Sequence, residues 1–228
     1  MKQAFFLTGT DTEIGKTFIT CALLHRAAES GWRAAGVKPV AAGTDLNGLN
    51  DDVENIRRAS NVQLPQKVIN PYCFTAAIAP HIAAEEESVS IDFKVIQSAC
   101  LSACEAADFV IIEGVGGFRV PLGVDRDSAD LAVELELPVI LVVGMRLGCI
   151  NHALLSAESI MARGLSIAGW VANCIDPKMA RQAENLATLK KLIAAPLLGV
   201  VPYNAEAGPR GAASFLQLPV FTGSIRGI

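Results

Sequence analysis

Residues 8–17, Thr8-Gly9-Thr10-Asp11-Thr12-Glu13-Ile14-Gly15-Lys16-Thr17, combine glycine, lysine and threonine at a spacing that handles phosphate. Glycines let backbone N–H groups turn toward an anion, the lysine reaches the outer phosphates of a nucleotide, and the threonine hydroxyl meets Mg²⁺. The usual pattern places four residues between its first glycine and Gly-Lys. From Gly9 there are five, and a strict count of four starts at Thr10. Context carries the assignment: the apolar run Ala4–Leu7 enters the loop, and an amphipathic stretch from Phe18 to Glu29 leaves it at helical spacing.

Other residues able to join that chemistry fall at the ends of apolar runs. Phe109-Val110-Ile111-Ile112 ends in Glu113, followed by Gly114-Val115-Gly116-Gly117. A carboxylate there either holds Mg²⁺ across from Thr17 or caps a loop, and the glycines allow close backbone approach to a phosphate or substrate. Lys38 precedes Pro39 at the end of a second apolar run, where it contacts a phosphate or substrate or is simply solvated. Asn50-Asp51-Asp52 opens a helix, so either aspartate is an N-cap or completes a Mg²⁺ shell. The turn Gly144-Met145-Arg146-Leu147-Gly148-Cys149-Ile150-Asn151-His152 offers backbone N–H groups to a carboxylate. His152 has no carboxylate or nucleophile paired with it in sequence and reads as a capping or packing residue. Asn173 reads a base edge or closes a turn.

The elements that must position these groups alternate. Strands are expected at Ala4–Leu7, Ala34–Val37, Phe109–Ile112, Val139–Val143, Ile167–Ala172 and Leu197–Val201, and helices at Lys16–Ser30, Asp51–Ala59, Phe93–Ala106, Asp127–Glu134, Ile150–Arg163 and Lys178–Ile193. Continuously apolar strands alternating with helices predict an α/β fold, a mostly parallel sheet with helices on both faces. Ligands of such sheets gather at the carboxyl ends of the strands. Gly43–Asn50 and Asn61–Pro80 read as loop, and 208–228 shows little periodicity. One domain over residues 1–228 is expected.

Bulk properties narrow the function. The 228 residues are 51% apolar and 18% charged, with net charge −4 and no Lys/Arg cluster, which argues against a nucleic-acid surface. No apolar run reaches the ~20 residues of a membrane span. Met1-Lys2-Gln3 leads directly into the first strand with no room for a signal peptide, so a cytoplasmic protein is expected. Six cysteines (Cys21, Cys73, Cys100, Cys104, Cys149, Cys174) show neither Cys-x-x-Cys pairs nor zinc spacing.

Taken together, the segment from Thr8 to Thr17, Gly36-Val37-Lys38-Pro39-Val40-Ala41, Asn70-Pro71-Tyr72, Glu113-Gly114-Val115-Gly116-Gly117, Leu147-Gly148-Cys149-Ile150-Asn151-His152 and Gly169-Trp170-Val171-Ala172-Asn173 resemble the dethiobiotin synthetases. The resemblance implies a P-loop NTPase-like fold and a cytoplasmic homodimer. It implies an ATP- and Mg²⁺-dependent ring closure in which CO₂ and 7,8-diaminononanoate form a carbamate that ATP phosphorylates. It also implies roles. Glu13, Ile14, Gly15, Lys16, Thr17 and Phe18 would cradle the triphosphate, with Gly114, Val115 and Gly116 beside it. Thr17, Asp52 and Glu113 would hold Mg²⁺. Thr12, Lys16 and Lys38 would surround the carbamate. Asn173 with Pro202, Tyr203 and Asn204 would line the adenine pocket. Gly148, Cys149, Ile150 and Asn151 would take the substrate carboxylate near the dimer interface.

Ala42 stands where that family commonly has serine, and Cys174 where an acidic residue is frequent. The alternative reading is a phosphate-loop ATPase of the partitioning or cell-division type, acting as a nucleotide-gated dimer. Those proteins carry a lysine at the loop start, where this chain has Asp11, and the C-terminal sequence here lacks a basic amphipathic membrane helix.

Overall fold

The computed structural model describes residues 2–206 and 208–220; the last part of the tail whose pattern is hard to read, 221–228, lies outside the described residues. The apolar runs become strands because each is enclosed on both faces. In chain order the strands are β1 (Gln3–Gly9), β2 (Ala34–Val37), β3 (Val40–Ala42), β4 (Tyr72–Phe74), β5 (Phe109–Glu113), β6 (Val139–Met145), β7 (Ile167–Cys174) and β8 (Leu197–Val201). The helices are α1 (Lys16–Glu29), α2 (Asp51–Ala59), α3 (Gln66–Ile69), α4 (Pro80–Glu86), α5 (Phe93–Ala106), α6 (Ser128–Leu135), α7 (Cys149–Ala162), α8 (Gln182–Leu192) and α9 (Gly208–Ala212).

Six strands form one parallel sheet in the order β2-β5-β1-β6-β7-β8. Side chains alternate between its faces, as the pleat requires. Phe5, Leu7, Ile111, Ile140 and Val142 join Ile19, Leu23 and Ala27 of α1 in one core. Phe6, Val110, Ile112, Leu141 and Val143 join residues of α5, α6 and α7, among them Ile96, Leu131 and Ile160, in the other. The α/β arrangement with helices on both faces is therefore the one expected from the sequence.

The stretch 61–80 departs from the expected loop. It contains α3 and β4, and α4 begins at its end; β4 pairs in parallel with β3 in a small second sheet. Elements of three or four residues are too short for a periodic pattern, and β3 finds its partner about 30 residues away. The start of α2 also differs. Asn50 caps it, its side chain accepting the Val53 N–H, while Asp51 and Asp52 lie in the first turn, where the helix dipole favours carboxylates. Asp127 caps α6 in a reciprocal capping box with Asp130, so that helix starts one residue later than expected.

One glycine fixes how the sheet meets the phosphate loop. A Cβ on Gly144 would lie 2.6 Å from Cγ2 and 2.8 Å from Cβ of Ile14, a side chain 1% exposed. Gly144→Ala should therefore destabilise the fold by about 1–3 kcal/mol through overpacking. Urea unfolding reads this, and an unaltered midpoint would mean that the loop does not rest on β6.

Candidate active site

The loop from Thr10 to Gly15 crosses the carboxyl end of β1 and delivers the start of α1 to the ligand edge. Glu13 and Gly15 adopt positive φ, 57° and 81°, and Gly15 is the N-cap of α1. That backbone turns successive N–H groups toward one side, and the first N–H groups of a helix have no partner within it. Ile14 packs down against Gly9 and Gly144 and anchors the loop from below. Lys16 Nζ donates to the carbonyl of Asp11 at 2.8 Å. The Asp11 carboxylate accepts the Thr12 N–H at 2.8 Å and pairs with Arg146 from the turn after β6.

Lys38 and Glu113 arise from neighbouring strands. β2 and β5 pair with Val37 opposite Ile112, so the next residues of the two strands emerge side by side. Lys38 is 3% exposed and Glu113 0%. Lys38 Nζ donates to Glu113 Oε1 at 2.6 Å and to the Gly114 carbonyl at 3.2 Å, and lies 3.5 Å from Asp52 Oδ2. Burial alone would lower the affinity of this amine for its proton, but the Glu113 and Asp52 carboxylates outweigh it and hold the Lys38 pKa above the ordinary lysine value. The Lys38 backbone is fixed as well: its N–H donates to Ile69, and its carbonyl accepts from the Asn70 side chain at 2.6 Å.

Glu113 Oε1 also accepts the Thr17 hydroxyl at 2.7 Å, whereas Glu113 Oε2 is buried with no hydrogen-bond partner. An unanswered carboxylate oxygen beside a hydroxyl and near a half-exposed aspartate suits a small divalent cation. Among the described residues no group of three or more His, Cys, Asp or Glu side chains is placed to hold a metal ion by itself. Mg²⁺ does not need one, since phosphate oxygens and water complete its octahedron.

A cleft of 1170 Å³ opens here. Thr12, Glu13, Gly15, Lys16, Thr17, Phe18, Lys38, Asp52, Val115 and Gly116 line it, so most of the candidate residues share one space. Ile14, Glu113 and Gly114 are buried beside it. Other candidates lie elsewhere in the chain. Gly148, at φ 93°, caps α7; Cys149 is buried, Asn151 is exposed, and none of residues 148–151 lines the cleft. Pro202, Tyr203 and Asn204 are exposed and also stand outside it. Asn173 is buried behind the loop, its amide nitrogen donating to the Ile14 carbonyl at 2.8 Å. His152 stays on α7, away from the cleft lining.

Sequence reasoning assigned no role to Arg146, Asn70 or the Ala77-Ile78-Ala79 wall of the cleft. A basic residue just past the carboxyl end of β6 was a signal for the first. The others reach the site through the small β3–β4 sheet and the α4 approach, which had no readable pattern.

Lys16 has its pKa lowered from 10.5 to about 8, first by burial and then by the Lys38 charge, against partial compensation from Glu113, Asp52 and Asp11. Between these values the unfolded chain holds a proton that the folded chain has released. On this account stability rises with pH from about 8 toward 10.5, and the cost of burying the charge is fully present below about 8. Lys16→Met should flatten this rise relative to the unsubstituted protein in unfolding midpoints measured across that range. Parallel profiles for the two proteins would contradict it.

Comparison with known proteins agrees with this geometry. A family model described as an AAA domain matches residues 3–210. The ATP-dependent dethiobiotin synthetase BioD of Aromatoleum aromaticum is 58% identical over 220 residues, covering 95% of this chain and 98% of its own length. Among solved structures, the septum site-determining protein MinD of Pyrococcus horikoshii, complexed with Mg-ADP, matches with a TM-score of 0.55 at 16% identity, over 93% of this chain and 86% of that one. A ParA family ATPase of Chlorobium tepidum also gives 0.55, at 14% identity over 93% and 91% of the two chains. At such identities these two share the P-loop NTPase-like fold and nothing more specific. With a full-length relative at 58% identity and a phosphate loop, Lys38 and Glu113 gathered at one sheet edge, the chain belongs to the ATP-dependent dethiobiotin synthetase family.

Proposed function

We propose that this chain is an ATP-dependent cyclo-ligase that joins CO₂ to 7,8-diaminononanoate and closes the cyclic urea of dethiobiotin. The observation that carries the reading is the convergence of two ammonium groups, Lys16 and Lys38, on one cleft at the phosphate loop. They are close enough for the charge on Lys38 to depress the pKa of Lys16. Two cations held together against their repulsion suit a reaction between two anions.

An amine of the substrate adds to CO₂ and loses a proton, giving a carbamate. A carbamate oxygen attacks the γ-phosphorus of ATP, and ADP departs. The second amine then attacks the carbamoyl carbon and loses a proton, and inorganic phosphate leaves with the former carbamate oxygen. Thr12, Lys16 and Lys38 flank the reacting oxygens. The N–H groups from Glu13 to Phe18 hold the triphosphate in line, and positioning of this kind supplies most of what phosphoryl transfer asks of a protein. Thr17, Asp52 and Glu113 fit Mg²⁺, which when bound would neutralise charge on the triphosphate. No nucleophilic side chain is required.

Gly148 and Asn151 are exposed at the start of α7, just after Arg146, with Cys149 buried between them. In this reading they meet the substrate carboxylate across a homodimer interface, where the exposed Leu147 and Leu155 would be covered. No described helix is long and apolar enough to cross a membrane. Cytoplasmic residence and one synthetase domain over the chain complete the proposal. The partitioning-type alternative finds no specific support: Asp11, at the loop start, is occupied by Arg146.

Incubation with ATP, bicarbonate and 7,8-diaminononanoate should yield dethiobiotin by mass, and ATP turnover indifferent to the diamine would refute the ligase reading. Lys38→Gln should lower turnover by roughly 10²–10³, as loss of a preorganised charge donor does. An unchanged rate would remove Lys38 from the reaction.

A further inference from the structure

The amide of Asn173 is committed in a way that its expected place in an adenine pocket does not explain. Asn173 ends the pairing of β7 with β8, lies opposite Gly144 of β6, and is 7% exposed. Its Nδ2 donates to the Ile14 carbonyl at 2.8 Å, a fully buried contact between positions 159 residues apart. A Cβ on Gly15 would fall 2.4 Å from the same Nδ2, so the carboxamide lies directly against the Ile14–Gly15 peptide. Gly144 leaves the space in which Ile14 reaches this level of the sheet.

A trans peptide points its C=O and its N–H in opposite directions. If the Ile14 carbonyl is held back toward Asn173, the Gly15 N–H is turned the other way, toward the cleft that Gly15 lines. Gly15 has φ 81°, a turn that glycine leaves as readily as it enters, so the chain relies on outside contacts to keep it in one orientation. From this we infer that Asn173 is a positioning residue for the phosphate loop: by holding the Ile14 carbonyl it aims the Gly15 N–H at the phosphate chain of the nucleotide. Its effect falls on the phosphate end of the ligand, whichever base is attached. The inference rests on the nucleotide half of the reading above and is independent of the diamine.

Tripolyphosphate separates this role from base recognition because it has no base. Calorimetric titration of Asn173→Ala and Asn173→Asp with ATP and with inorganic tripolyphosphate, both with Mg²⁺, should show both ligands weakened by a similar factor. About tenfold is expected for one lost orienting hydrogen bond. Weakening of ATP alone would overturn the inference in favour of base recognition. A lowered melting temperature with unchanged tripolyphosphate affinity would overturn it in favour of a structural role only. Should both variants fail to fold, NMR of the unsubstituted protein decides. The Asn173 side-chain amide protons should resist solvent exchange and shift when tripolyphosphate is added, and an amide that exchanges freely and does not move would refute the assignment. None of these readings requires turnover, so failure of the ligase proposal would leave them intact.

Discussion

The buried ion pair between Lys38 and Glu113 is the constraint on which the rest of the site depends. An ammonium and a carboxylate withdrawn from water each cost several kcal/mol, and only close geometry with further hydrogen bonds offsets that. The parallel register of β2 and β5 brings the two residues out of the sheet at one level. The Gly114 carbonyl and Asp52 add to the environment of the lysine, and the Thr17 hydroxyl adds to that of the glutamate. Three separate elements, the end of β2, the end of β5 and the first turn of α1, are thereby tied together by one carboxylate oxygen. The second oxygen of Glu113 is buried with no hydrogen-bond partner.

Around that pair, the phosphate loop is located by packing more than by its own sequence. Ile14 fits into space left by Gly9 and Gly144, and larger residues at either position would displace it. Arg146 holds Asp11 from one side, and Asn173 holds the Ile14 carbonyl from behind. The outcome is a loop with two positive-φ residues held in place by β6 and β7, strands that contribute nothing to the phosphate motif itself.

Much of this was legible in the sequence because it rests on local rules. Continuous apolar runs gave the six strands of the main sheet, and an acidic or basic residue at the end of such a run marked the ligand edge at Glu113 and Lys38. What stayed hidden depends on contacts between distant positions. The β3–β4 pair and α3 are too short to show a period. The commitment of Asn173 to Ile14 spans 159 positions, and no local pattern announces it. Residues 148–151 look like an anion-binding helix start in sequence, yet in one chain they stand apart from the cleft lining. The proposed homodimer is what would give the exposed Gly148 and Asn151 a place in the reaction.

The central claim is that ATP is used to phosphorylate an oxygen derived from CO₂, with two lysines offsetting the repulsion between the reacting anions. Following that oxygen tests it most directly. With ¹⁸O-labelled CO₂ and 7,8-diaminononanoate, quenched before the label exchanges with water, the released inorganic phosphate should carry one ¹⁸O atom by mass spectrometry. Phosphate containing only unlabelled oxygen would mean that water attacks ATP, and it would contradict the account.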